Sequence, residues 1–192
     1  MKAMEVFPCV ECAGAGRTCC EHVLVYLTIG DLARISHFTK SEDFFSFEAI
    51  TERYECEDDP NWLILTCGVD GRRRVVKQAE GQKCMFLAEN GCSLPMRVRP
   101  LLCRIYPYDF LKTGIVGIDS DCPISEMHDR EHILESLGMA YGRVEQWRRI
   151  LYDEIELEKS KIKITWPGSR TSISDMLPQL GLALTGLLLD IE

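Results

Sequence analysis

The sequence predicts an α+β fold, mainly helical, in which an irregular cysteine-rich region with a small β-hairpin precedes two C-terminal helices. Three observations carry this reading. All ten cysteines fall within the first 122 of 192 residues. Two β-rich runs flank Asp70-Gly71 in WLILTCGVDGRRRVVKQ, residues 62–78, and Asp-Gly is a favoured two-residue hairpin turn. From about Ser125 onward, apolar residues recur at steps of three and four. The chain therefore divides into a cysteine-cluster region at 1–123 and a helical part at 124–192 that packs on it.

Residues 9–20, CVECAGAGRTCC, form a cysteine- and glycine-rich loop, and HVLVYLT at 22–28 reads as a short strand. Thr28 is the expected N-cap of a helix through about His37, with Asp31 in its first turn. TKSEDFFSFEAITERY at 39–54 reads as a second short helix, capped by Thr39 or Ser41 and acidic at its start. After the hairpin, residues 81–110 show turns and a few apolar pairs without a sustained period, so something other than a large apolar core must hold them. GIVGID at 114–119 reads as a strand that ends before Cys122-Pro123.

Ile133, Leu137, Ala140, Tyr141, Val144, Trp147, Leu151 and Ile155 then mark one face of a long amphipathic helix reaching about Ile162. Gly138 and Gly142 lie one turn apart on it; they either weaken it mildly or admit a close neighbour. Beyond the break TWPGSRTS, the apolar run from Ser172 to Ile191 reads as a last helix. It packs on the long helix or, alternatively, makes a homodimer interface.

Composition removes several function classes. Hydrophobic content of 46% and charged content of 27% are ordinary for a globular chain. A net charge of −8 argues against a nucleic-acid binder, which needs a basic surface, and against anionic membranes. The N-terminus carries no apolar segment of the signal-peptide kind, and LGLALTGLLL at 180–189 is too short to span a bilayer. The expected compartment is the cytoplasm, where many cysteines point to metal binding or redox chemistry rather than disulfides. No phosphate-binding loop, dinucleotide fingerprint or serine nucleophile elbow is present.

The first cysteine constellation is Cys9, Cys12, Cys19 and Cys20. A C-x2-C turn sets two thiolates on one side of a tight loop, near enough to grip one ion or cluster. Gly14 and Gly16 let the chain fold back, and Arg17 favours thiolate over thiol. Adjacent Cys19 and Cys20 meet one centre only within a turn; otherwise each serves a different centre. The second constellation is Cys84, Cys92 and Cys103, followed by Cys122. Arg97, Arg99 and Arg104 crowd Cys103, either offsetting thiolate charge and donating to sulfur or forming ordinary ion pairs. Cys56 sits in an acidic run and Cys67 beside the hairpin turn, which makes both poorer ligands. His22 follows Cys20 closely as a ligand or a local cap, while His128 and His132 read as a solvated helix start.

These pieces resemble the YkgJ-type cysteine-cluster proteins, also written CxxCxxCC, a zinc- or iron-chelating family. The resemblance rests on the N-terminal cluster ending in Cys19-Cys20, the C-x-F-L stretch Cys84 to Leu87, Gly91-Cys92, and the run from Arg99-Pro100 through Cys103-Arg104 to Pro107. It spans roughly residues 9–123. The spacing departs from the family pattern, with six residues instead of two before the Cys-Cys pair. The resemblance implies a cysteine-ligated centre, with an iron–sulfur cluster as the leading expectation and zinc as the alternative. The ligand pool is Cys9, Cys12, Cys19, Cys20, Cys84, Cys92, Cys103 and Cys122, enough for two centres or for one with spare thiols. The expected partner is a protein substrate or redox partner; the competing expectation is a zinc-stapled interaction module without catalysis.

Overall fold

The structure is a computed structural model, and it describes residues 19–21, 23–49, 61–68, 70–89, 91–161 and 173. Helices and small antiparallel sheets are interspersed along it. Helix α1 (Ile29–Thr39) begins where its cap was expected. Thr28 accepts the Asp31 N–H while the Asp31 side chain accepts the Thr28 N–H, so two otherwise unpaired donors are satisfied together. Before it, residues 23–28 run extended. Leu27 N–H donates to the Arg74 carbonyl and Val76 N–H to the Val25 carbonyl, yet no continuous strand forms.

The helix expected from Thr39 is a strand instead. Thr39 ends α1, and β1 (Phe45–Ala49) pairs antiparallel with β2 (Arg72–Val76), Phe45 opposite Val76 and Glu48 opposite Arg73. Pairing with β2 decides it: the alternation of aromatic and polar residues through Phe45, Ser46, Phe47 and Glu48 admits a pleated strand, and β2 supplies the partner that outweighs the capping residues before it.

The expected 62–78 hairpin is also corrected. Trp62–Thr66 forms one helical turn, α2, rather than the first hairpin strand. Trp62 and Thr66 are buried, whereas Ile64 between them is 71% exposed. A strand would have put all three on one face, so burial at i and i+4 identifies the helical solution. Burial of Trp62 decides it: its ring meets Tyr26, Phe110 and Tyr152 edge-on at centroid distances of 5.9, 6.0 and 6.1 Å. The Asp70-Gly71 turn does form, with Gly71 at φ +72° and Asp70 accepting the Arg72 N–H, but it joins a helix to a strand.

Next come two-residue strands in pairs: β3 (Gln78–Ala79) with β4 (Lys83–Cys84), and β5 (Leu87–Ala88) with β6 (Gly91–Cys92). Helix α3 (Leu101–Ile105) follows, capped by Pro100, and the Tyr106–Pro107 peptide after it is cis. Strands β7 (Tyr108–Leu111) and β8 (Gly114–Ile118) make a bulged hairpin, placing β8 where the GIVGID run predicted it.

The predicted long helix is two helices, α4 (Arg130–Ser136) and α5 (Tyr141–Lys161). Gly138 is the break. At φ +77° its N–H donates to the Glu135 carbonyl, and Met139 N–H reaches back to the Leu134 carbonyl. This pair of bonds closes a helix end, and buried Leu134 and Met139 make its accompanying apolar contact. Gly142 lies in the first turn of α5 with open space where a side chain would project, so no element approaches it. The predicted last helix lies outside the described residues except for Ile173, which is buried. Among the described residues no helix is long and apolar enough to cross a membrane.

Two apolar cores result. One gathers α1, Phe44, Val76, Phe86 and Leu94, with Cys84 and Cys92 packed against it. The other joins Tyr26, Trp62, Leu101 and Ile105 to Val144, Leu151 and Ile155 of α5. Buried ion pairs tie α5 to the rest. Arg74 grips Glu158 through two bonds of 3.0 and 2.9 Å, and Arg34 donates to Glu154 at 2.8 Å. Glu154 lies so close to α1 that a Cβ added at Gly30 would overlap its carboxylate, so only glycine fits there.

Candidate metal centre

Cys20, Cys84, Cys92 and Cys103 come from four separate segments that neighbour one another in the fold. The Cys20 carbonyl accepts the Cys84 N–H at 2.7 Å, and next to it Glu21 pairs with Lys83 through a bridge and a 2.8 Å ion pair. Residues 20 and 21 are thereby laid along β4. Cys92 ends β6, and Cys103 is the third residue of α3. Each of these thiols lies within electrostatic reach of the others: Cys103 feels Cys20, Cys84 and Cys92, and Cys84 feels Cys20 and Cys92.

The local chain geometry explains the motif residues. In C-x-F-L, the turn after Cys84 aims the N–H groups of Phe86 and Leu87 at the Cys84 sulfur, while Phe86 itself is buried in the first core. The Leu94 N–H does the same for Cys92, and Gly91 at φ +90° sets up that turn. Arg99 reaches the Cys92 sulfur by a hydrogen bond while its Nε donates to the Leu94 carbonyl at 3.0 Å. Arg104, the arginine nearest in sequence to Cys103, braces the backbone instead. It is buried and donates to the carbonyls of Arg99 and Arg97, each at 2.7 Å, holding closed the loop that presents Arg99.

Burial pushes the Cys84 thiol up to about 11, against the downward pull of the Phe86 and Leu87 N–H groups. Cys92 is raised by burial too, and Leu94 and Arg99 oppose the rise. Cys103 is raised furthest, by burial first and then by the charges of Cys20, Cys84, Cys92 and Asp31. Raised in this way, these groups are neutral thiols in the absence of metal, and a bound cation is what would favour their thiolate forms, displacing the protons. The donor set thus suits a soft metal or an iron–sulfur cluster.

Cys19 and Cys20 diverge. Cys19 is exposed and, with buried Cys122, lies near Tyr106, whose phenol is raised by burial and by Asp119, Cys122, Cys19 and Asp121. Cys9, Cys12, Cys56 and His22 lie outside the described residues. Cys67 stands apart from the four thiols in role: it ends α2, and its carbonyl accepts Lys159 Nζ of α5 at 2.7 Å. His128 and His132 are exposed, and only His132 belongs to α4. Among the described residues no three Cys, His, Asp or Glu side chains close tightly enough to cage a single ion.

Sequence reasoning missed Asp31 as a neighbour of this centre. Its carboxylate accepts the Leu101 N–H at the start of α3, 70 residues away. Its capping pattern announced α1 but carried no signal for the second contact.

Residues 8–127 match the family model CxxCxxCC, described as "Putative zinc- or iron-chelating domain". No curated protein and no solved structure matches the chain.

Proposed function

The chain belongs to the CxxCxxCC family of zinc- or iron-chelating domains, and from that premise we propose that it holds an iron–sulfur cluster on cysteines drawn from Cys9, Cys12, Cys19, Cys20, Cys84, Cys92, Cys103 and Cys122. The observation that supports the proposal is that Cys20, Cys84, Cys92 and Cys103 lie within electrostatic reach of one another. A bound cluster supplies one-electron chemistry. The chain's own residues do the rest. The Phe86, Leu87 and Leu94 N–H groups and Arg99 direct hydrogen bonds at sulfur, which stabilises the anionic thiolates. The flanking apolar core keeps water from one side of the site. Residues 1–123 carry the centre and residues 124–192 brace it. In this reading the protein acts in the cytoplasm on a protein substrate or redox partner.

One observation favours a second reading, a zinc staple without catalysis. Cys84 and Cys92 sit on two-residue strands packed against the first core, and strands so short need outside support. The deciding experiment is anaerobic purification of the untagged chain, followed by an absorption spectrum and counts of iron, zinc and sulfide. Brown protein with matched iron and sulfide supports the cluster. Colourless protein with stoichiometric zinc replaces it with the staple, and protein without metal removes both.

A further inference from the structure

Beyond the apolar packing of Leu101 and Ile105 on α5, the helix bearing Cys103 and α5 are joined through one buried carboxylate. Asp31 is fully buried. Its Oδ1 accepts the Leu101 N–H at 3.0 Å, two residues before Cys103 on the five-residue helix α3. The same Oδ1 accepts Arg34 Nη2 at 2.7 Å, and its Oδ2 accepts the Thr28 N–H at 3.1 Å. Arg34 then donates from Nη1 to Glu154 of α5 at 2.8 Å, and Thr28 Oγ1 donates to the other oxygen of Glu154. An unbroken chain of charged hydrogen bonds therefore runs from the helix bearing Cys103 to the middle of α5, through α1.

We propose that Asp31 is a positioning residue that couples metal loading at the cysteine centre to docking of α5, by fixing the start of α3 and the Arg34–Glu154 contact with one carboxylate. The inference rests on the metal-centre reading above. Such a chain tolerates few intermediate states, because every donor in it is buried and any link that opens leaves a charge unpaired. Holding Cys103 against a metal holds α3, which holds Asp31 in the position Arg34 requires. By linkage the effect is reciprocal: undocking α5 lowers metal affinity by the same factor by which loading favours docking.

Zinc(II) added to the full-length, reduced, metal-free chain is the probe, with hydrogen exchange of the α5 amides around Glu154 as the readout. Loading is expected to slow that exchange about 5- to 150-fold, the usual span of such couplings. Asp31→Asn puts a donor where the carboxylate accepted, because one amide face meets either Thr28 N–H or Arg34 and Leu101. This variant is expected to bind zinc while losing the zinc-dependent slowing, and its zinc affinity falls by the same factor. A purely structural role would lower protection equally with and without zinc. Asp31→Asn with the full zinc-dependent slowing overturns the inference and leaves the metal reading standing, as does a wild-type chain that binds zinc with no change in α5. A wild-type chain that binds neither zinc nor iron overturns both. Should Asp31→Asn fail to fold, Glu154→Gln breaks the same chain at α5 and is read by the same two outcomes.

Discussion

The cysteine-bearing segment from Cys84 to Cys103 and the helix α5 solve opposite problems. The first has two-residue strands and a five-residue helix, none of which is stable alone. The second has 21 residues and a face on which Val144, Leu151 and Ile155 are almost fully buried. One region needs a fastener supplied from outside its own secondary structure; the other fastens itself by apolar burial. Yet α5 also places Glu154 and Glu158 on that buried face, where an amphipathic helix ordinarily keeps apolar side chains. The lesson is that the self-sufficient element bears the costly charges, and these reach Arg34 of α1 and Arg74 of β2. Buried ion pairs of this kind add little stability over a well-packed apolar alternative, but removing one partner strands the other as a buried charge.

The comparison is broken most sharply at Cys103. Cys103→Ser is expected to lower metal affinity by more than the roughly 100-fold typical of losing an outer-shell contact, whereas Cys67→Ser leaves metal content unchanged; metal counts on both variants check this. Glu158→Gln strands Arg74 as a buried charge and is expected to cost about 3–5 kcal/mol in urea unfolding. If it costs under about 1 kcal/mol, α5 is held by its apolar face alone. Gly30→Ala pushes a methyl into the Glu154 carboxylate and is expected to cost about 1–3 kcal/mol by the same measurement. Gly138→Ala strains only the end of α4, for about 1 kcal/mol.

The smallest effect is a pH slope. Burial first, and then the charge of Asp31, raises the Glu154 carboxyl above its ordinary value, with Arg34 and Thr28 pulling the other way. A carboxyl raised in the folded state binds its proton more tightly there than in the unfolded chain. Its stabilising contribution is therefore complete below the unfolded value and is lost as pH rises through the folded one. Stability of metal-free protein should fall across that window, and Glu154→Gln should flatten the fall; an unchanged slope would assign it to another group.

How far the sequence disclosed this depended on whether a signal was local. The cap at Thr28 and Asp31, the strand near Gly114 and the apolar face of α5 were all legible, because each is written within a dozen residues. The family was legible for another reason: the cysteine motifs at Cys84, Cys92 and Cys103 stand in the family's order, and the family model matches residues 8–127. Illegible were the elements decided by remote partners. β1 carried capping residues at its start that suggested a helix, and β2, 27 residues on, overrode them. Trp62 turned a β-rich run helical because its aromatic neighbours lie at Tyr26, Phe110 and Tyr152. Arg34 finds Glu154, 120 residues away, and Arg74 finds Glu158, 84 residues away; nothing beside either announces it.

The bond between the Cys20 carbonyl and the Cys84 N–H joins residues 64 positions apart. At about 5–20 residues per second of synthesis, roughly 3–13 s separate the emergence of the two from the ribosome. Throughout that interval Cys20 has no β4 to lie against. The pairing of the two segments therefore cannot begin until β4 has been made, and whatever folds before then folds without it.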